Sequence, residues 1–166
     1  MKRLAIPALL VLGLLLTGGT PAVHAHGNNA EHAETESTAY GEQLEFGRVG
    51  KTAEAKRTIE VAMTDLFRFT PERIQVRAGE TVRLVFRNSG AQVHEWVIGT
   101  AADISKHGAL MRRFPNMAHD EPHNVHVPAG EARTLIWQFN RPGRFEFACL
   151  APGHFEAGMK GFVEAR

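Results

Sequence analysis

The chain has 166 residues, 19 basic and 18 acidic, a formal charge of +1 and one cysteine. That length suits one domain with accessory segments. The balanced charge gives no reason to propose nucleic acid or an anionic membrane as a partner, and a lone cysteine excludes an internal disulfide framework.

The N-terminus reads Met1-Lys2-Arg3, then an apolar stretch from Leu4 to Leu16, then Val23-His24-Ala25. Two positive charges, a short apolar core and a small-x-small end predict a secretory signal peptide over residues 1–25, cleaved after Ala25. The alternative is an uncleaved N-terminal anchor, but the apolar run is short of the roughly 20 residues of a membrane span. No cysteine lies near the cleavage point to carry a lipid. The expectation is therefore a periplasmic monomer with no membrane association after cleavage. Losing Lys2 and Arg3 from the 19 basic residues leaves 17 against 18 acidic, a formal charge of −1.

Residues 26–57 are rich in Glu, Ala, Gly, Thr and His and show no strand or helix period, which predicts a flexible, disordered arm. From Thr58 the texture changes. Thr58 to Met63, Arg73 to Arg77 and Thr81 to Arg87 alternate apolar and polar residues. Val93 to Ile98, Asn124 to Val127, Arg133 to Phe139, Arg144 to Cys149 and Gly161 to Glu164 are further strand candidates. Ala78-Gly79-Glu80, Asn88-Ser89-Gly90, Pro128-Ala129-Gly130 and Arg141-Pro142-Gly143 supply turns between them. One helical insertion is predicted over Ala101 to Arg113, with Ile104, His107 or Gly108, and Met111 at helix spacing. Many short strands with regular turns predict an all-β sandwich over residues 58–166. Trp96, Trp137, Phe67, Phe69, Phe86, Phe139, Phe145 and Phe147 are its candidate core.

The end of the chain carries the chemistry. Cys149, His154 and Met159 form the run C-L-A-P-G-H-F-E-A-G-M. Thiolate, imidazole and thioether suit copper, and a trigonal His2Cys site with a weak axial Met marks a blue-copper centre. The second histidine must come from upstream, and His94 is the candidate. An exported protein would be expected to pair its cysteines; a single thiol is accounted for if a metal holds it as thiolate. Chance ordering of a buried Cys, a surface His and a core Met is the plainer alternative. The strand pattern, the export signal, the lone Cys and the upstream His all weigh against it.

With these residues in view, the chain resembles the cupredoxins, the small blue-copper proteins. H-E-W-V-I-G-T-A-A-D-I from His94 is similar to the azurin segment that carries the first copper His. F-A-C-L-A-P-G-H-F-E-A-G-M-K-G from Phe147 is similar to the azurin ligand loop, with one more residue between His and Met. F-x-F-x-P-x-x-I-x-V-x-A-G-x-T-V from Phe67 to Val82 resembles the early strands of many bacterial cupredoxins. The resemblance implies a Greek-key sandwich with one type 1 copper at one end. It implies His94, Cys149 and His154 as equatorial ligands and Met159 as axial ligand. Two departures stand out. Val93 occupies a place where azurin-like proteins have Gly, which puts a fifth ligand from that carbonyl in question. Glu95 stands where many cupredoxins have Asn, next to the thiolate, where hydrogen bonding tunes the potential.

Other copper classes fit less well. The dinuclear centre of cytochrome oxidase subunit II needs two cysteines in this loop, and multicopper oxidases flank the cysteine with histidines. Ala148 and Leu150 supply neither. Structural zinc sites use Cys and His for all four ligands, and Met159 argues against one.

Eight histidines follow the cleavage point, more than one carrier site needs. His107, Met111, Met117, His119, His123 and His126 form a candidate second copper site; the plainer reading is surface polar residues and core methionines. Cleavage after Ala25 would leave His26 at the N-terminus, where α-amine and imidazole can chelate copper, with His32 to assist. Ala151, Pro152, Phe155 and Ala157 could form an apolar rim for a redox partner. Two functions remain open: copper tolerance or handling in the periplasm, with one-electron redox activity, and soluble respiratory electron transfer to or from a cytochrome or copper enzyme. The former is favoured by the surplus His and Met, and by a resemblance to periplasmic copper-tolerance cupredoxins. An enzyme such as a nitrite reductase would need a second catalytic copper with ligands from a neighbouring domain. The chain is too short for that, so no enzymatic activity is expected.

Overall fold

The alternating stretches form the strands of two stacked sheets. The computed structural model describes residues 42–115 and 121–166. In chain order the elements are β1 (Arg48–Val49), a single 3-10 turn (Thr52–Glu54), β2 (Arg57–Thr64), β3 (Arg68–Thr70), β4 (Arg73–Val76), β5 (Glu80–Asn88), β6 (His94–Gly99), α1 (Ala101–Arg113), β7 (Asn124–Val127), β8 (Ala132–Phe139), β9 (Gly143–Ala148) and β10 (Lys160–Ala165). One sheet has the order β1-β8-β5-β2-β3 and the other β4-β10-β9-β6-β7. The pairs β2/β5 and β4/β10 are parallel and the rest antiparallel. The expected all-β sandwich with one helix is the observed architecture.

Inward-facing residues of the two sheets meet in a single large core. Trp96 of β6 stacks on Phe147 of β9 at 3.9 Å, and Phe69 and Phe86 pack against the indole. Each large apolar side chain buried in this way contributes about 1.5–3 kcal/mol. Seven of the eight aromatic residues expected in the core are there. Phe67 is not; it is only partly buried, for a reason that lies at the functional site.

α1 begins with a capping box, in which Thr100 and Asp103 each accept from the other's amide. It buries Ile104, Gly108 and Met111. Gly108, rather than His107, occupies the middle of the buried stripe. Ile104 and Met111 join Val97, Ala148 and Leu150 in a second apolar cluster. The helix thus braces the strands that lead into the candidate ligands, His94 on β6 and Cys149 after β9.

Residues 42–57, expected as part of the arm, pack on the sandwich instead. Phe46 is 4% exposed. Its ring stacks on Trp137 at 5.8 Å, and its carbonyl accepts the indole N–H of Trp137 at 3.1 Å. Gly47, at φ 126°, lets the chain lie against β8, because a side chain there would collide with the Gln138 carbonyl. One aromatic anchor and one short strand are enough to dock a segment that lacks any period of its own. The signal peptide, His26, His32 and the rest of the arm to residue 41 lie outside the described residues, as do Met117 and His119.

Candidate metal centre

Three side chains of metal-ligating type converge at one end of the sandwich. His94 opens β6, a strand whose six residues are all buried. Cys149 directly follows β9, which pairs with β6 through Val97 and Ala148. From Cys149 the chain leaves the sheet in a tight loop and returns at Met159, the residue before β10. Main-chain bonds close the loop on itself: Cys149 N–H donates to the Met159 carbonyl, and Met159 N–H to the His154 carbonyl, both at 3.0 Å. Gly153 and Gly158 adopt φ of 84° and 99°, the left-handed region that glycine enters most easily. The Pro-Gly turn and the second glycine are what allow ten residues to bring back a histidine and a methionine.

One donor atom from each of His94, Cys149 and His154 lies within 4.8 Å of the others. Cys149 Sγ is 3.2 Å from His154 Nδ1, and the Nδ1 atoms of the two histidines are 3.2 Å apart. His94, Cys149 and Met159 are fully buried and His154 is 6% exposed. Burial pushes the Cys149 thiol up to about 12, only partly countered by the amides of Glu95 and Ala151. Burial likewise holds His154 below its ordinary value, and the neighbouring His94 acts in the same direction. A thiol and two imidazole nitrogens at such distances, dry and with no carboxylate among them, form a donor set that fits a soft or borderline cation. Such a cation takes the thiolate and displaces its proton. Copper answers that description.

The residues around this set hold it in place. The Glu95 amide points at Cys149 Sγ, 3.4 Å away. The Glu95 side chain is buried, and its Oε1 accepts the Leu150 amide at 2.7 Å. The carboxylate therefore braces the ligand loop, and the main chain of Glu95 is what reaches the sulfur. Its other oxygen lies 3.7 Å from His126 Nδ1. Val93 is 53% exposed.

The short turn between β2 and β3, with the first residue of β3, contributes three residues that lie outside the ligand motifs. Asp65 Oδ1 is 3.2 Å from His94 Nε2. The Ala91 amide, above all, holds the Asp65 carboxyl below its usual range. The Phe67 ring lies over His154 with centroids 4.6 Å apart, which is why it is missing from the core. Arg68 donates to the Ala157 carbonyl at 2.7 Å and ties the ligand loop to β3. Sequence reasoning missed Asp65 and Arg68 in these roles. The turn has no Gly, Pro or Asn to mark it, and β3 is only three residues long.

The remaining histidines and methionines divide between several places. His107 and His123 line one cavity, with Asp103, Glu121 and Phe46. The His123 ring meets Phe46 edge-on at 5.2 Å, and burial lowers its pKa. Met111 faces a different groove, with Leu150, Pro152 and Phe155. His126 is exposed on β7, beside Glu95. Of the rim residues, Pro152 and Ala157 are exposed, and Ala151 and Phe155 are half-buried.

Comparison with known proteins agrees with this geometry. The chain is 44% identical over 165 residues to the copper-resistant cuproprotein CopI of Rubrivivax gelatinosus, covering 99% of both chains. It is 33% identical to the CopI of Pseudomonas aeruginosa, covering 96% of this chain and 95% of that one. Among solved structures, the reduced auracyanin of Roseiflexus castenholzii superposes with a TM-score of 0.58 at 23% identity, over 68% of this chain and 98% of the other, and so shares its fold. The cupredoxin-like domain profile matches residues 38–162. The chain belongs to the cupredoxin-like family.

Proposed function

We propose that this chain is a periplasmic type 1 copper protein that serves copper tolerance. His94, Cys149 and His154 are its equatorial ligands and Met159 its axial ligand. The observation that carries the reading is the buried His94–Cys149–His154 cluster, in a chain similar along almost its whole length to copper-resistant cuproproteins. Copper held there would supply one-electron redox chemistry, and the protein acts as a carrier or copper handler rather than an enzyme. Cys149 provides the thiolate, while the Glu95 amide and the apolar wall around the sulfur keep water away from it. Of the four described second-site candidates, His107 and His123 share a cavity and are the pair that could hold a second, weaker copper, while Met111 and His126 lie apart from them. The N-terminal signal is removed after Ala25, leaving His26 as a further chelating group.

A second reading is soluble electron transfer to a respiratory partner. The half-exposed apolar rim beside His154, from Ala151 to Ala157, favours it. A visible spectrum with a copper count on the cleaved protein tests the site. Intense colour lost in Cys149→Ser is expected; colour retained in that variant overturns the ligand assignment. More than one copper per chain, reduced by His107→Ala plus His123→Ala, is expected of the handling role. Deleting the gene should sensitise cells to copper; a respiratory defect without copper sensitivity would favour the second reading.

A further inference from the structure

His94 has two ring nitrogens, and the structure gives each a different neighbour. Nδ1 faces the His154 ring at 3.2 Å, within the ligand cluster. Nε2 faces Asp65 Oδ1 at 3.2 Å, on the opposite side of the ring. A carboxylate accepts but cannot donate, so this contact draws the ring proton to Nε2. Nδ1 is then left with its lone pair directed at Cys149 and His154.

Asp65 is itself held. Its Oδ2 accepts the Ala91 amide at 2.8 Å, and its Oδ1 is 3.4 Å from the Gln92 amide. The loop that supplies those amides is fixed by Asn88. That side chain donates to the carbonyls of Gln92 and Val127 at 2.7 and 2.9 Å, and accepts the Gly90 amide at 2.9 Å. Glycine at residue 90 leaves the Asp65 carboxylate its place, since a Cβ there would push against it. The hydrogen bonds of residues 88–92 thus form a cradle that aims one carboxylate at one imidazole. None of these residues belongs to the ligand motifs.

We propose that Asp65 is the positioning residue for His94: it fixes the Nε2–H tautomer and the ring orientation, and its negative charge favours the oxidised state of the bound copper. The proposal rests on the reading of His94 as a ligand. A partner on the far nitrogen of a metal-bound histidine sets its tautomer and raises its basicity. A more basic ligand and a nearby anion both favour the higher metal charge. Asp65 is 37% exposed, so solvent moderates the effect.

The test uses the full-length exported protein with Asp65→Asn and Asp65→Ala. Asn keeps an acceptor oxygen and removes the charge; Ala removes both. In Asp65→Asn, the ratio of reduced to oxidised copper at a fixed ambient potential should rise about tenfold, a shift of about 59 mV for one electron. In the copper-free protein at neutral pH, nitrogen-15 spectra should show His94 as the Nε2–H tautomer, and a mixture of tautomers in Asp65→Ala. A potential that stays the same or falls in Asp65→Asn overturns the charge effect. A single unchanged tautomer in Asp65→Ala overturns the positioning role. If Asp65→Ala fails to fold, the tautomer is read in the unaltered protein, where an Nδ1–H form is the contrary result. If the unaltered protein shows no thiolate colour with copper, the ligand assignment fails by itself. The tautomer, which needs no copper, still decides the role of Asp65.

Discussion

Glu95 Oε1 accepts the amide of Leu150 at 2.7 Å, joining the strand that carries one candidate ligand to the loop that carries the others. The bond is buried and spans 55 residues of sequence. The neighbouring Glu95 amide points at the sulfur of Cys149. One residue therefore links the fold to the site twice, by side chain and by main chain.

Replacing Glu95 by alanine leaves the Leu150 N–H buried without its acceptor. A buried donor left in this way costs about 1–3 kcal/mol. Urea unfolding of copper-free Glu95→Ala should show a loss of that size, while Glu95→Gln, which keeps an acceptor, should lose less. Equal losses in the two variants would mean that the charge of Glu95, and not its hydrogen bond to Leu150, is what matters.

Phe67 covers His154 from a backbone at φ 55°. A non-glycine residue in the left-handed region costs about 1–2 kcal/mol. Phe67→Ala keeps that cost and removes the cover; Phe67→Gly removes both. Phe67→Gly should thus be at least as stable as Phe67→Ala by thermal unfolding, and both should surrender copper to a chelator faster than the unaltered protein. Unchanged release rates would show that the ring does not shield the site.

The copper-free protein should lose stability in mild acid. Burial lowers the pKa of both His154 and His123 from 6.5. The folded form keeps these rings neutral while the unfolded chain takes up protons, so their contribution is intact above about pH 6.5 and is lost as pH falls below it. Thermal midpoints of the copper-free protein measured across that range should fall on the acid side. Copper binding has a steeper dependence. The Cys149 thiol, pushed up to about 12, must give up its proton. Apparent copper affinity should therefore rise by about tenfold per pH unit near neutrality, as read by competition with a chelator. An affinity independent of pH would mean that the thiolate is not a ligand.

Most strands were legible because they repeat a two-residue period between turn signals, as in Thr81 to Arg87, and that pattern is local. α1 was legible from end to end, over Ala101 to Arg113. β1 and β3 were not, since two and three residues are too few for a period to register. Phe46 gave no sign of its docking, as its stacking partner Trp137 is 91 residues away.

The same distinction separates the ligand loop from its surroundings. Cys149, His154 and Met159 lie within eleven consecutive residues, and ligand spacing with turn glycines is a property of local chain geometry. The sequence by itself therefore determined the donor types, their order and the metal class they suit, along with the sandwich that presents them. Which nitrogen of His94 faces inward, what covers His154 and what the Glu95 carboxylate holds were decided only by the tertiary structure. Each of these depends on residues distant in the chain: Asp65 is 29 residues from His94, and Glu95 is 55 from Leu150. Contacts of that kind arise when two sheets and their connecting turns close over a shared core, and no local pattern encodes them.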